Sequence, residues 1–185
     1  MESLQNHLLI AMPSLEDPLF GRSVTYICEH NEEGAMGIVI NHPLSVDIAN
    51  LLEQLEIEFD GGSDAAKMKI CAGGPVQNDR GFVLHTPKAG FTSSMQLNQD
   101  LMITTSKDIL EQLTTEAAPE KFILALGYAG WSAGQLEQEL ADNSWLVIPA
   151  DNRIIFDLPH GEKWQGATAK LGIQSWQLSA QAGHA

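Results

Sequence analysis

Residues 23–30 alternate along the chain, with Val24, Tyr26 and Cys28 on one side and Thr25, Ile27 and Glu29 on the other. The β-branched and aromatic residues in this run suit a pleated strand. Asn31-Glu32-Glu33-Gly34 supplies a turn, and residues 35–41 return apolar on both sides, which predicts a hairpin whose second strand is central. Ahead of it, residues 7–11 form a short apolar strand. They lead into a loop at 13–22 whose two prolines resist helix. Further runs predict strands at 69–72, 81–85, 101–104, 121–128, 145–149 and 154–157, of which 121–128 is the strongest buried candidate.

Elsewhere the period lengthens to that of a helix. Ile48, Leu51, Leu52 and Leu55 fall on one helical face, and Gly61-Gly62 closes that segment. A second helix is expected at 106–115, begun by Thr105 with Asp108 three residues on. A third is expected at 135–142, with Leu136 and Leu140 inward. The last, at 162–171, aligns Trp164, Ala167, Thr168 and Leu171 ahead of Gly172 as a left-handed cap. No repeat or linker divides the chain, so residues 1–185 read as one domain with a core over about 7–178 and a frayed tail from Ala180. An early antiparallel hairpin followed by alternating strands and helices favours α+β with a mixed sheet over a doubly wound parallel one.

Composition narrows the function. With 24 acidic residues against 10 basic ones, the formal charge is −14. No Lys/Arg cluster offers the counterion release on which nucleic-acid binding depends. No apolar run reaches the length that crosses a bilayer, and the first seven residues lack the basic start of a signal peptide. A cytoplasmic protein with no membrane partner is expected. The two cysteines, Cys28 and Cys71, read as buried free thiols. Cys28 and His30 share a strand face, but two ligands are too few for a metal site, and neither metal nor cofactor is expected.

Gly130-Trp131-Ser132-Ala133-Gly134 matches the G-x-S-x-G nucleophile elbow between a predicted strand and a predicted helix, and Asp151 or Asp157 and then His160 follow in hydrolase order. Ser132 as nucleophile, His160 as base and Asp157 as its orienting carboxylate would make an acyl hydrolase. The same hydroxyl, with Gln135 three residues on, also fits an S-x-x-Q capping box that needs no histidine. Three loops carry polar residues that strands do not need, including Asp17, Arg22, His42 and Arg80. These four, with Trp131, are expected to converge at strand ends in a partly polar binding pocket.

Four segments, M-P-S-L-E-D-P-L-F-G-R-S-V at 12–24, G-A-M-G-I-V-I-N at 34–41, G-G-P-V-Q-N-D-R-G-F-V-L-H at 73–85 and L-G-Y-A-G-W-S-A-G-Q-L-E-Q-E-L at 126–140, together resemble the AlgH/YqgE family. The resemblance runs from about Leu8 to Gly172. It implies a compact fold with a bent, barrel-like mixed sheet flanked by helices. Biochemical function is undefined in that family, no catalytic residue carries over, and the slot held by Ser132 is open to other small residues. Some members are labelled transcriptional regulators. The leading expectation is therefore a binding or regulatory module for a protein or small molecule, working through a cleft lined by the glycine-containing loops. A serine hydrolase centred on Ser132 is the alternative, and a transcriptional regulator the third reading.

Overall fold

The computed structural model describes residues 2–172; the expected frayed tail and the last residues of the expected core lie outside them. The predicted hairpin is present as β2 (Val24–Asn31) and β3 (Gly34–Val39), which pair antiparallel with Tyr26 opposite Ile38 and a bulge between Ile27 and Glu29. β1 (His7–Ala11) adds to β2, and β10 (Trp145–Pro149) adds to β1. On the other side of β3 stands β9 (Phe122–Ser132), followed by β6 (Val76–His85), β8 (Leu101–Thr104) and β7 (Ser94–Asn98). A short spur, β4 (Pro43–Asp47) on β5 (Lys69–Ala72), joins the sheet where β5 runs parallel to β9. The sheet is therefore mixed and mostly antiparallel, as the early hairpin requires, and it curls into a half-barrel.

Both faces of this sheet are covered. Leu8, Ile10, Tyr26, Ile38 and Phe82 point into the curl, where Trp164 and Ala167 of α4 (Lys163–Lys170) close the core. Leu9, Ile27 and Trp131 point outward beneath Leu136 of α3 (Gln135–Ala141). Ile48 and Leu52 of α1 (Ile48–Gln54) cover Val83 and Leu124. This two-sided burial explains why 7–11 and 121–128 read as continuous apolar runs instead of alternating ones.

Two glycines account for two of the sequence motifs. Gly127 has φ +78°, and a Cβ there would lie 2.3 Å from the Gly74 carbonyl oxygen. Gly74 has φ +155°, and a Cβ there would lie 2.1 Å from the Tyr128 carbonyl carbon. The G-G-P-V and L-G-Y-A-G segments thus cross backbone to backbone, a contact only glycine permits.

The structure departs from the sequence pattern in four places. Residues 154–157 are not a strand but part of a π-helical turn, Arg153–Asp157. Ile154 and Ile155 both enter the core beside Trp164, which adjacent residues of a strand, pointing to opposite faces, could not do. β4 and β7 escaped prediction because they sit at the margins of the sheet and are largely exposed, so no burial pattern marks them. The helix expected at 106–115 shrinks to α2 (Lys107–Leu110), where Asp108 accepts from Ser106 and Thr92. α4 buries Trp164, Ala167 and Thr168 as expected but leaves Leu171 37% exposed, with Gly172 at φ +72° behind it. No helix among the described residues is long and apolar enough to cross a membrane.

Candidate functional site

The G-W-S segment is strand, not elbow. β9 continues to Ser132, which stands opposite Gly34 while Trp131 faces Ala35 and Gly130 faces Met36. Only Ala133 and Gly134 separate it from α3, and Gly134, at φ +78°, is the residue that precedes the helix. The backbone N–H and the hydroxyl of Ser132 both donate to Gln135 Oε1, at 3.0 and 3.3 Å. Gln135 therefore makes the glutamine half of the expected capping box, while the Ser132 hydroxyl does not accept from the helix. His160 bonds elsewhere, and Asp157 accepts from Lys121 Nζ at 2.5 Å. Among the described residues, Ser132, His160 and Asp157 share no hydrogen bond, so the structure does not assemble them as a triad.

Trp131 is fixed from both ends. Its indole N–H donates to Glu139 Oε1 at 3.0 Å, and Trp145 donates to the same oxygen at 2.9 Å. Gln135 holds the other carboxylate oxygen at 2.9 Å. Phe20, from the loop after β1, sets its ring against both indoles, at centroid distances of 6.4 and 5.9 Å.

Trp131 also borders a cleft of about 430 Å³ on β2, β3 and β9, whose Met36 and Tyr128 pack against the core inside the curl. Gly34, Ala35 and Met36 from β3 and Tyr128 and Gly130 from β9 complete its lining, and Glu29, Asn31 and Glu33 add polar groups to it. It is thus a concavity with apolar and aromatic surface, two carboxylates and no basic lining residue. The glycines differ in kind. A Cβ on Gly34 would lie 2.2 Å from the Trp131 carbonyl oxygen, whereas one on Gly130 would meet nothing closer than Tyr128 Cε2 at 3.7 Å. Position 130 is empty by composition and has room for a side chain. Arg80 lies near this region without lining it: its guanidinium is laid over Phe82, 5.3 Å from the ring centroid, and Phe82 in turn meets Tyr128 edge to face.

Asp17, Arg22 and His42 come together at a different place, around the loop before β2 and the residues that follow β3. Asp17 Oδ1 accepts from the backbone of Leu19 and Phe20. Asn41 accepts from Val24 N and donates to the Arg22 carbonyl. Burial draws the His42 pKa below the ordinary value, opposed by the neighbouring backbone of Gly21 and Leu19. Arg22 stacks 4.8 Å from the Trp164 ring centroid. The expected single pocket is therefore two regions, Trp131 in the cleft and Asp17, Arg22 and His42 around a loop anchor.

Beside that anchor is a cluster the sequence did not mark. Lys163 is 1% exposed, and its ammonium donates to Ile40 O and His160 Nδ1, both at 3.0 Å. Nδ1 also lies 3.2 Å from Ile40 O but cannot donate while it accepts from the ammonium, so Nε2 carries the imidazole proton. Nε2 then faces Cys71 Sγ at 3.7 Å, and that thiol faces Ile40 O at 3.8 Å. The ring of bonds is closed. Burial draws Lys163 down to about 8 and pushes Cys71 up to about 11, with the Lys163 charge pulling Cys71 the other way. Burial and then the neighbouring ammonium hold His160 below its usual value. A buried thiol that keeps its proton at neutral pH is packing and not a nucleophile. Nothing in sequence period flags a buried lysine next to Trp164; only His160 was visible as chemistry.

Among the described residues no three His, Cys, Asp or Glu side chains stand close enough to hold a metal ion. A larger hollow, about 650 Å³, lies between the π-helical turn and α4, but none of the five expected binding residues Asp17, Arg22, His42, Arg80 and Trp131 lines it, and Lys170 and Asp151 on its wall already pair at 2.7 Å.

Comparison with known proteins agrees with this fold. A family model described as AlgH-like matches residues 8–176. The chain is 59% identical to a UPF0301 protein of Pseudoalteromonas translucida, covering all of both chains. It is 57% identical to one of Photobacterium profundum, over 99% of this chain and all of that one. The solution structure of the AlgH protein from Pseudomonas aeruginosa superposes with a TM-score of 0.80 at 49% identity, over 99% of this chain and 96% of the other. A crystal structure from Corynebacterium diphtheriae shares the fold at 22% identity, TM-score 0.68, over 92% and 88%.

Proposed function

The chain belongs to the AlgH-like family, and from that premise we propose that it is a binding module, not a hydrolase, which receives a protein or small-molecule partner in the cleft on β2, β3 and β9. The observation that carries this reading is the cleft itself. It is a concave, partly apolar surface with polar groups at its margin, set on paired strands that hold it rigid. The rival reading through Ser132 lacks support from its neighbours, since His160 and Asp157 are each engaged elsewhere. Regulation by nucleic-acid contact draws no support from a chain of charge −14. We place the protein in the cytoplasm, where two free, buried thiols are at home.

Gly130→Leu tests the proposal, because a side chain there fills the cleft without meeting backbone. The parent and the variant are immobilised and their retained partners from a bacterial lysate are quantified side by side. The reading requires at least one partner, protein or metabolite, held by the parent and depleted about tenfold or more by the variant. Matching profiles contradict it.

A further inference from the structure

We infer that the group the cleft receives is a cation, an arginine or lysine side chain on a segment of a partner protein; the inference rests on the cleft being the binding site. Its lining holds two carboxylates, Glu29 and Glu33, and no basic residue. Both glutamates are exposed, and neither belongs to an ion pair among the described residues. Arg80, on the neighbouring β6, turns to Phe82 and Gln77 instead. Tyr128 places an aromatic ring in the same cleft, and a cation held between carboxylates and a ring face gains from both. The overall charge of −14 adds a long-range field that draws cations towards this surface and repels anionic ligands.

The fold also limits how a partner can bind here. β3 is paired on both sides, by β2 and by β9, and β9 is flanked by β3 and β6. Along β3 the floor of the cleft has no free backbone edge, and a partner meets that strand through side chains that enter the hollow. At about 430 Å³ it lies near the small end of ligand pockets. A side chain with an apolar stem and a charged head suits a hollow of this kind, with the stem on Met36 and Tyr128 and the head at the glutamates.

The probe is the acetylated, amidated tetrapeptide Arg-Val-Arg-Val, with Gln-Val-Gln-Val as its uncharged counterpart, each titrated into the full-length protein and followed by backbone amide shifts. The expected result is shifts confined to residues around 29–36 and 128–131, weakened by added salt. Affinity should fall about tenfold in Glu29→Gln/Glu33→Gln and vanish in Gly130→Leu, with both variants checked for an unchanged melting transition. If the glutamine peptide binds equally well through the same residues and only Gly130→Leu blocks it, the inference about charge is overturned while the cleft remains the site. Arginine-peptide shifts scattered over the acidic surface and insensitive to Gly130→Leu overturn both.

Discussion

The indole N–H of Trp131 ends 3.0 Å from Oε1 of Glu139, joining the last turn of β9 to the helix that follows it. Trp145 shares that oxygen and Gln135 takes the other. The carboxylate thus ties strand, helix and the edge strand β10 together behind the cleft. Trp131 and Trp145 are 6% and 5% exposed, so removing their acceptor leaves two buried donors unpaired. Glu139→Leu is expected to cost about 2–4 kcal/mol. Glu139→Gln, which keeps one acceptor oxygen, should cost less, and urea denaturation of the two variants reads the difference.

Acid should destabilise the protein through its histidines. Burial lowers the folded-state pKa of His42, His85 and His160, and Lys163 lowers His160 further. The folded state therefore binds fewer protons than the unfolded one, whose histidines titrate near about 6.5. The stability these groups permit is complete above that value and is lost as pH falls through it towards the lowered folded values. Unfolding midpoints should drop between about pH 7 and pH 5. The drop should be shallower in His160→Gln, which cannot take up a proton beside the ammonium. Denaturation curves across this range decide it; a slope unchanged by the substitution would contradict the assignment to His160.

At Ser132 the hydroxyl makes one exposed bond to Gln135, and the backbone N–H holds the same oxygen without it. Ser132→Ala is therefore expected to cost no more than about 0.5 kcal/mol. A fluorophosphonate probe should leave the parent protein unlabelled at this position. Mass spectrometry of the probe-treated protein checks the second point directly.

These departures locate what the sequence could and could not tell. The β2/β3 hairpin, α3 and the inward face of α4 were legible because Tyr26, Leu136 and Trp164 fall at the period of their element. β4 was not, since Leu44 and Val46 are left in solvent at a sheet margin. Trp131 was marked by its motif and does line the cleft. Glu29 was invisible, because a glutamate on the open face of an alternating strand looks like ordinary solvation. Lys163 and Cys71 are near each other only through the packing of α4 against the end of β3, a long-range contact that no local pattern encodes.

Duplex DNA should not bind appreciably at physiological salt. The charge of −14 opposes the phosphate backbone, and the chain has no basic cluster to displace its counterions. An anisotropy titration that finds tight binding, falling steeply with salt, would restore the regulator reading.

Photo-crosslinking tests the central claim, that the cleft on β2, β3 and β9 is where a partner binds. A photoreactive phenylalanine analogue at Asn31, which lines the cleft, is compared in growing bacteria with the same residue at the exposed Glu116, outside it. The account predicts a discrete adduct from position 31 that disappears when Gly130→Leu is added, and none from position 116. An adduct from 31 that survives Gly130→Leu, or equal adducts from both positions, would contradict it.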